Sequence, residues 1–214
     1  MEKIKEVKFY SPLEEKINVY SHAIGLLLSI VGLFFLLIRS LQHGDLLHIL
    51  SFSIYGISLV VLYSASTFYH NTKDAKLRSR MRIFDHASIY VLIAGTYTPF
   101  TLITLNGTLG WVLFSIVWGF AFIGIILKFF FTGRFNIIST LMYVFMGWIA
   151  IFAINPLIEN LAEKGLYWLV AGGAFYTVGA ILYAIKKIKF NHAIFHILVL
   201  LGSICHFISV YFYV

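Results

Sequence analysis

The chain alternates between long apolar stretches and short polar breaks. An α-helix needs about 20 apolar residues to cross the hydrocarbon of a bilayer. Seven such runs are found, at 18–39, 46–70, 83–104, 109–131, 136–157, 165–187 and 191–213. The breaks include Gln42-His43-Gly44-Asp45, Asn106-Gly107, Thr132-Gly133-Arg134 and the segment 159–164. Helices are expected rather than strands, because barrel strands alternate over only about 10 residues. The predicted fold is an all-α membrane protein with seven transmembrane helices in one domain, 18–214, after a short N-terminal segment, 1–17.

Composition agrees with this pattern. Of 214 residues, 60% are hydrophobic and only 12% charged, against about 25% charged in soluble domains. The net charge of +7 does not point to nucleic acid, because no polar domain exists to present a basic surface. The expected surroundings are a lipid bilayer, with a membrane lipid as substrate or ligand. Cys205 is the single cysteine, which excludes an intrachain disulfide and a cysteine-only metal cage. A metal site must use His, Asp or Glu. The first 17 residues mix Glu2, Glu6, Glu14 and Glu15 with Lys3, Lys5, Lys8 and Lys16. The run that follows is too long for a signal-peptide core.

Lys and Arg set the expected orientation. The connection 71–82 holds Lys73, Lys76, Arg78, Arg80 and Arg82. Lys128 and Arg134 flank the fourth connection, and Lys186, Lys187 and Lys189 fill the sixth. The odd-numbered connections carry few basic residues, so the even ones are assigned to the cytoplasm. This puts the N-terminus inside and the C-terminus outside, with Trp111 and Trp168 near the outer interface. Pro99 and Pro156 are expected to kink or end the third and fifth helices. Gly172, Gly173, Thr177, Gly179, Ala180 and Ala184 should let the sixth helix approach its neighbours closely.

Topology then gives depth. His192 and His196 are four residues apart, on one helix face. His70 ends the second run and Asp85 opens the third, each beside the basic connection. All four fall within roughly 11 Å, two helical turns, of the cytoplasmic boundary. Ser66 lies one turn before His70 on the same face. Three imidazoles with an open position are the ligand set of a catalytic zinc, although iron, nickel and copper also accept such donors. Asp85 would accept a proton from the metal's water or orient a ligand, and Ser66 would hold the water or a carbonyl. Plainer roles exist for each. Interfacial histidines contact headgroups, Asp85 suits a helix N-terminus, and Ser66 can bond its own backbone. His22, with Asn18 on its face, is a second-tier candidate at the same level. His86 should point about 100° away from Asp85. His206 lies about 15 Å beyond His196 and is expected outside the site. His43 and His48 should face solvent or headgroups.

Several stretches also carry a family resemblance. They are Glu14-Glu15-Lys16-Ile17-Asn18 with Ser21-His22-Ala23-Ile24-Gly25, and Ser66-Thr67-Phe68-Tyr69-His70. The most specific is Phe84-Asp85-His86-Ala87-Ser88-Ile89-Tyr90, continuing to Ala94-Gly95-Thr96-Tyr97-Thr98-Pro99-Phe100. Gly172-Gly173, Tyr176-Thr177-Val178-Gly179-Ala180, Tyr183 and His192-Ala193-Ile194-Phe195-His196 complete the set. The chain resembles the bacterial hemolysin III proteins, a branch of the progestin and adipoQ receptor family that includes the adiponectin receptors. The resemblance implies a multi-pass protein of the bacterial cell membrane with zinc (Zn2+) held by His70, His192 and His196. It implies that Ser66 and Asp85 lie around the zinc-bound water. The family is similar to alkaline ceramidases, which hydrolyse a lipid amide. The long terminal extensions of the animal receptors are missing, so hormone binding is not carried over.

Three functions compete. The first is a zinc-dependent, ceramidase-like hydrolase of a lipid amide or ester that contributes to lipid homeostasis. The second is a pore-forming cytolysin, as the family name suggests, but a conducting path needs polar lining and the outer halves of these helices have almost none. The third is a sensor of membrane state with a structural zinc.

Overall fold

The computed structural model describes residues 9–132 and 136–214, except for the side chains of His43, Asn136 and Ile137. The charges at Glu2, Lys3, Lys5, Glu6 and Lys8, the Gly133-Arg134 break and the outward orientation expected of His43 lie outside the described residues.

Local chemistry starts the first helix. The Ser11 hydroxyl accepts from the Glu14 amide, Pro12 occupies the first turn, and Glu14 and Glu15 face the positive end of the helix dipole. Helix α1 runs Pro12–His43 and stops at Gly44, whose φ of 73° lets its amide donate to the Ser40 carbonyl. Asp45 caps α2 (Leu46–Asn71), and Asp74 caps α3 (Ala75–Pro99). After Pro99 the chain widens into a π-helical turn, Phe100–Leu105. Helix α4 follows at Gly107–Phe131 and α5 at Asn136–Gly147. A 3-10 turn, Ile149–Ala153, leads into α6 (Ile154–Asn160), and then α7 (Glu163–Ala184) and α8 (Asn191–Tyr213) complete the chain.

Among the described residues, seven segments are long and apolar enough to cross a membrane, as the hydropathy pattern predicts. Three details differ. Helix α1 begins at Pro12 and not at 18, because its cap lies in the polar segment. Helix α3 begins at Ala75 and not at 83, so Arg78, Arg80 and Arg82 are helical. The fifth segment is broken into α5, the 3-10 turn and α6, and Pro156, expected to kink or end this helix, sits in the first turn of α6 just after the break. There its missing N–H leaves no intrahelical bond unmade.

Helix α1 packs along α2 and α8, α8 along α7, and α2 along α3. One apolar core joins Leu36, Tyr55, Tyr63, Leu92, Val199 and Val210. A second joins Tyr90, Leu113, Val117, Met146 and Ile149 from α3, α4 and the broken fifth segment. A cavity lies between the two cores, bordered by residues of α1, α2, α3, α4, α5, α7 and α8. The outer surface is apolar: Phe122, Phe130 and Phe152 are 66%, 69% and 78% exposed. Water would not tolerate such a surface over a whole chain, but lipid does.

Close helix packing can be tested within α4. A Cβ on Gly110 would lie 2.0 Å from the Thr101 carbonyl oxygen, whereas one on Gly119 meets nothing within 4 Å. Gly110→Ala is expected to destabilise by about 1–3 kcal/mol. Gly119→Ala should be neutral or stabilise by up to about 1 kcal/mol. Thermal unfolding of both variants in detergent, followed by circular dichroism, reads the difference.

Candidate metal centre

The last turn of α2 supplies His70, and the first two turns of α8 supply His192 and His196. All three are buried. His192 Nε2 lies 3.1 Å from His70 Nε2 and 3.1 Å from His196 Nε2, and one nitrogen from each ring falls within 4.8 Å of the others. Nitrogens bound at 2.0–2.1 Å to a tetrahedral ion would sit about 3.3 Å apart. The spacing therefore suits a small metal cation.

The proton positions point the same way. His70 Nδ1 lies 2.8 Å from Glu15 Oε2, and His196 Nδ1 lies 3.3 Å from the Asn18 carbonyl oxygen. A carboxylate and a carbonyl only accept, so these contacts are hydrogen bonds in the tautomers protonated at Nδ1; the Asn18 side-chain nitrogen lies further from His70 Nδ1, at 3.4 Å. In the neutral rings, both Nε2 atoms then aim lone pairs inward. His192 Nε2, between them, has at most one proton to donate. One inward lone pair stays unmatched unless a cation occupies the centre. The residues present therefore fit a metal, and the outward Nδ1–H bonds are the supports that metal-binding histidines ordinarily have.

Glu15 is itself held. Its other oxygen, Oε1, pairs with the Arg78 guanidinium and accepts from the Tyr10 amide at 3.0 Å. Arg78 also donates to the carbonyls of Tyr69, His70 and Thr72 at 3.2, 3.1 and 3.1 Å. These carbonyls lie at the end of α2, where intrahelical donors run out, although that of Tyr69 also accepts from the Thr72 amide at 3.3 Å. The guanidinium lies 4.5 Å from the ring centroid of Phe9 and 4.6 Å from that of Tyr69. Tyr10 stacks on His192 with centroids 4.6 Å apart and planes 7° from parallel. Burial pushes the Tyr10 phenol well above its ordinary pKa, so the ring over His192 stays neutral. Phe9 and Tyr10 thus floor the site.

Ser66, Asp85 and His22 border the same cavity as His192 and His196. The Ser66 hydroxyl is buried and has no hydrogen-bond partner among the described residues, which leaves the plain backbone-bonded role without support. Asp85 Oδ2 lies 3.4 Å from His86 Nδ1. His22 stacks on His196 at 3.6 Å with planes 14° apart. Stacked rings direct their nitrogens along parallel planes, so His22 abuts the cluster without joining its convergent nitrogens. His86, one position on from Asp85 around α3, borders the cavity as well, because the void is wide enough to meet both positions. His206 is absent from the cluster, as expected, but it reaches the same cavity, and its Nε2 is 3.0 Å from the Leu169 carbonyl. His48 joins the Asp45 cap of α2.

Glu15, Arg78 and Tyr10 were not singled out in the sequence. Glu15, Asn18 and His22 did carry a signal, since steps of three and four put them on one helix face. Arg78 carried none once 71–82 was taken as a connection.

Fold and site together define a multi-pass membrane protein with a buried three-histidine cluster able to hold a metal ion. The chain belongs to the Haemolysin-III related family, which matches residues 10–207. It is 49% identical over 201 residues to Hemolysin-3 of Bacillus cereus, covering 94% of this chain and 92% of that protein. It is 48% identical over 200 residues to the Hemolysin-3 homolog of Bacillus subtilis (strain 168), covering 94% of each. The human Monocyte to macrophage differentiation factor is 27% identical over 209 residues, covering 94% of this chain and 84% of that protein. This more distant similarity agrees with the wider resemblance to the progestin and adipoQ receptors.

Glu15→Gln keeps the shape of the side chain but removes the charge that supports His70. Its affinity for a divalent metal is expected to fall about 10–100-fold. Competition with a coloured chelator measures this directly. An unchanged affinity would mean that Glu15 serves Arg78 alone.

Proposed function

We propose that His70, His192 and His196 hold zinc, and that the protein hydrolyses an amide or ester bond of a membrane lipid. The observation that carries the reading is the shared cavity. His192, His196, the unpartnered Ser66 hydroxyl and the Asp85 carboxylate border one largely apolar wall, and His70 converges on the same two histidines from α2. Zinc bound there would supply Lewis acidity and make a water molecule acidic enough to use near neutral pH. Asp85 would accept a proton from the attacking water and return it to the departing nitrogen or oxygen. Ser66 donates to the carbonyl oxygen of the scissile bond. The apolar wall receives the acyl chain and keeps bulk water from the reacting carbonyl. Glu15 and the Asn18 carbonyl keep two of the rings in the tautomer that faces inward.

The basic residues around this end of the bundle support a cytoplasmic location for the site and for residues 1–17, with the C-terminus outside. A lipid of the inner leaflet would then bring its polar end to the right depth, and its turnover would contribute to membrane lipid homeostasis. The apolar cavity wall speaks against a conducting path as the primary function.

Purified protein should carry about one equivalent of zinc, and His192→Ala should lose it. With a ceramide-like lipid in mixed micelles, Asp85→Asn is expected to retain zinc while hydrolysis falls by about 10²–10⁴-fold. Zinc-loaded protein that cleaves no acyl lipid would leave the metal a structural role, as in a membrane-state sensor. Protein that binds no zinc would overturn the reading altogether.

A further inference from the structure

Lys128 takes no part in the histidine cluster. It sits one turn before the end of α4, where a lysine ordinarily extends its stem to carry its charge to the headgroups. Here it turns inward. The residue is only 3% exposed, its Nζ donates to the Ser139 hydroxyl at 2.6 Å, and the ammonium lies 5.7 Å from the Tyr143 ring centroid. No ion pair among the described residues includes it. Asp85, the acid of the same cavity wall, acts on Lys128 electrostatically but makes its close pair with His86. A hydroxyl, a ring face and a carboxylate out of contact leave an ammonium incompletely neutralised, and a buried cation within a membrane segment is costly without a close counter-charge.

The residue also borders space. Lys128 borders the cavity together with His86, Ser139, Thr140 and Tyr143, in an arm between α3, α4 and α5. The three histidines stand on α2 and α8. We propose that this arm is an anion-binding subsite: Lys128 and Ser139 hold the charged oxygens, carboxylate or phosphate, of an amphiphile whose chain lies along the apolar remainder of the cavity. Lys128 supplies the charge and Ser139 a second donor. Trp148, Tyr176 and Val199 border the space left for the chain. The subsite needs no hydrolysis, so binding alone satisfies it whether or not the lipid is cleaved.

The test is calorimetric titration of the full chain in a neutral detergent with dodecyl phosphate, laurate, dodecanol and inorganic phosphate. The two charged amphiphiles should compete with each other and bind at least about 10-fold more tightly than dodecanol, the gain of a charge-assisted hydrogen bond. Whichever of them binds more tightly identifies the preferred headgroup oxygens. Inorganic phosphate should not bind in the same range. Lys128→Met should abolish the preference for charge while leaving dodecanol binding intact, Lys128→Arg should retain it, and Ser139→Ala should weaken the anions alone. A metal on the histidines is the rival anion site, and His192→Ala removes it. Under the proposal the preference survives in His192→Ala. A preference lost in His192→Ala but kept in Lys128→Met would overturn the proposal, as would equal binding of dodecanol and the anions. Inorganic phosphate binding as tightly as dodecyl phosphate would overturn the amphiphile.

Discussion

The carboxylate of Glu15 is the contact on which the arrangement of the site depends. One of its oxygens meets His70 on α2, and the other meets Arg78 on α3, while the residue itself belongs to the first turn of α1. Three helices are thereby fixed at one level by a single side chain. Arg78 gathers the loose carbonyls at the end of α2, so the guanidinium finishes the helix that carries His70. Burying such a pair brings little net stability, because desolvation offsets most of the attraction. What it fixes is geometry: the tautomer and direction of the His70 ring, and with them the inward lone pair.

The same contacts decide how the cavity can be reached. Tyr10 lies flat on His192, and Phe9 packs on Arg78, so the basic end of the site is covered by the segment leading into α1. The cavity extends away from this floor, past Thr96 and Tyr97 on α3 and Thr177 and Ala180 on α7, as far as His206. Its length runs with the helices, in the direction a lipid chain takes. Part of the small-residue pattern of the sixth run serves close packing: Gly172 abuts His206, and Gly179 abuts Phe195 and Leu198. Gly173, Thr177 and Ala180 instead border the cavity, where small size keeps space open.

This division also explains what could be read from the sequence. Hydropathy and length mark seven spans because lipid imposes that constraint on every helix separately. Basic residues give each span a direction, and direction was enough to bring His70, His192 and His196 to one depth. The charged residues that fold inward escaped. Arg78 is 63 positions from Glu15, and Lys128 is 11 positions from Ser139, across a helix boundary. Hydropathy assigns such residues to connections or interfaces, since nothing local shows that a distant partner draws them in. The broken fifth segment was hidden for a related reason. Its composition is continuously apolar, and only the packing of Tyr97 against its backbone, through bonds with the Gly147 carbonyl and the Ala150 amide, marks where the helix gives way.

The cavity separates the two apolar cores, and each core is well packed without it. Side chains leave a volume of ≈ 170 Å³ unfilled there. A chain with 21 phenylalanines has no shortage of bulk with which to close such a space. Yet Gly173, Thr177 and Ala180 face it from α7, and Ser66 and Asp85 face it from α2 and α3. Polar positions run from Ser66 and Asp85 at the basic end to Thr96, Tyr97, Tyr176 and His206, along a wall whose surface is mostly apolar. Such a void suits an amphiphile aligned with the bilayer better than it suits a packing fault.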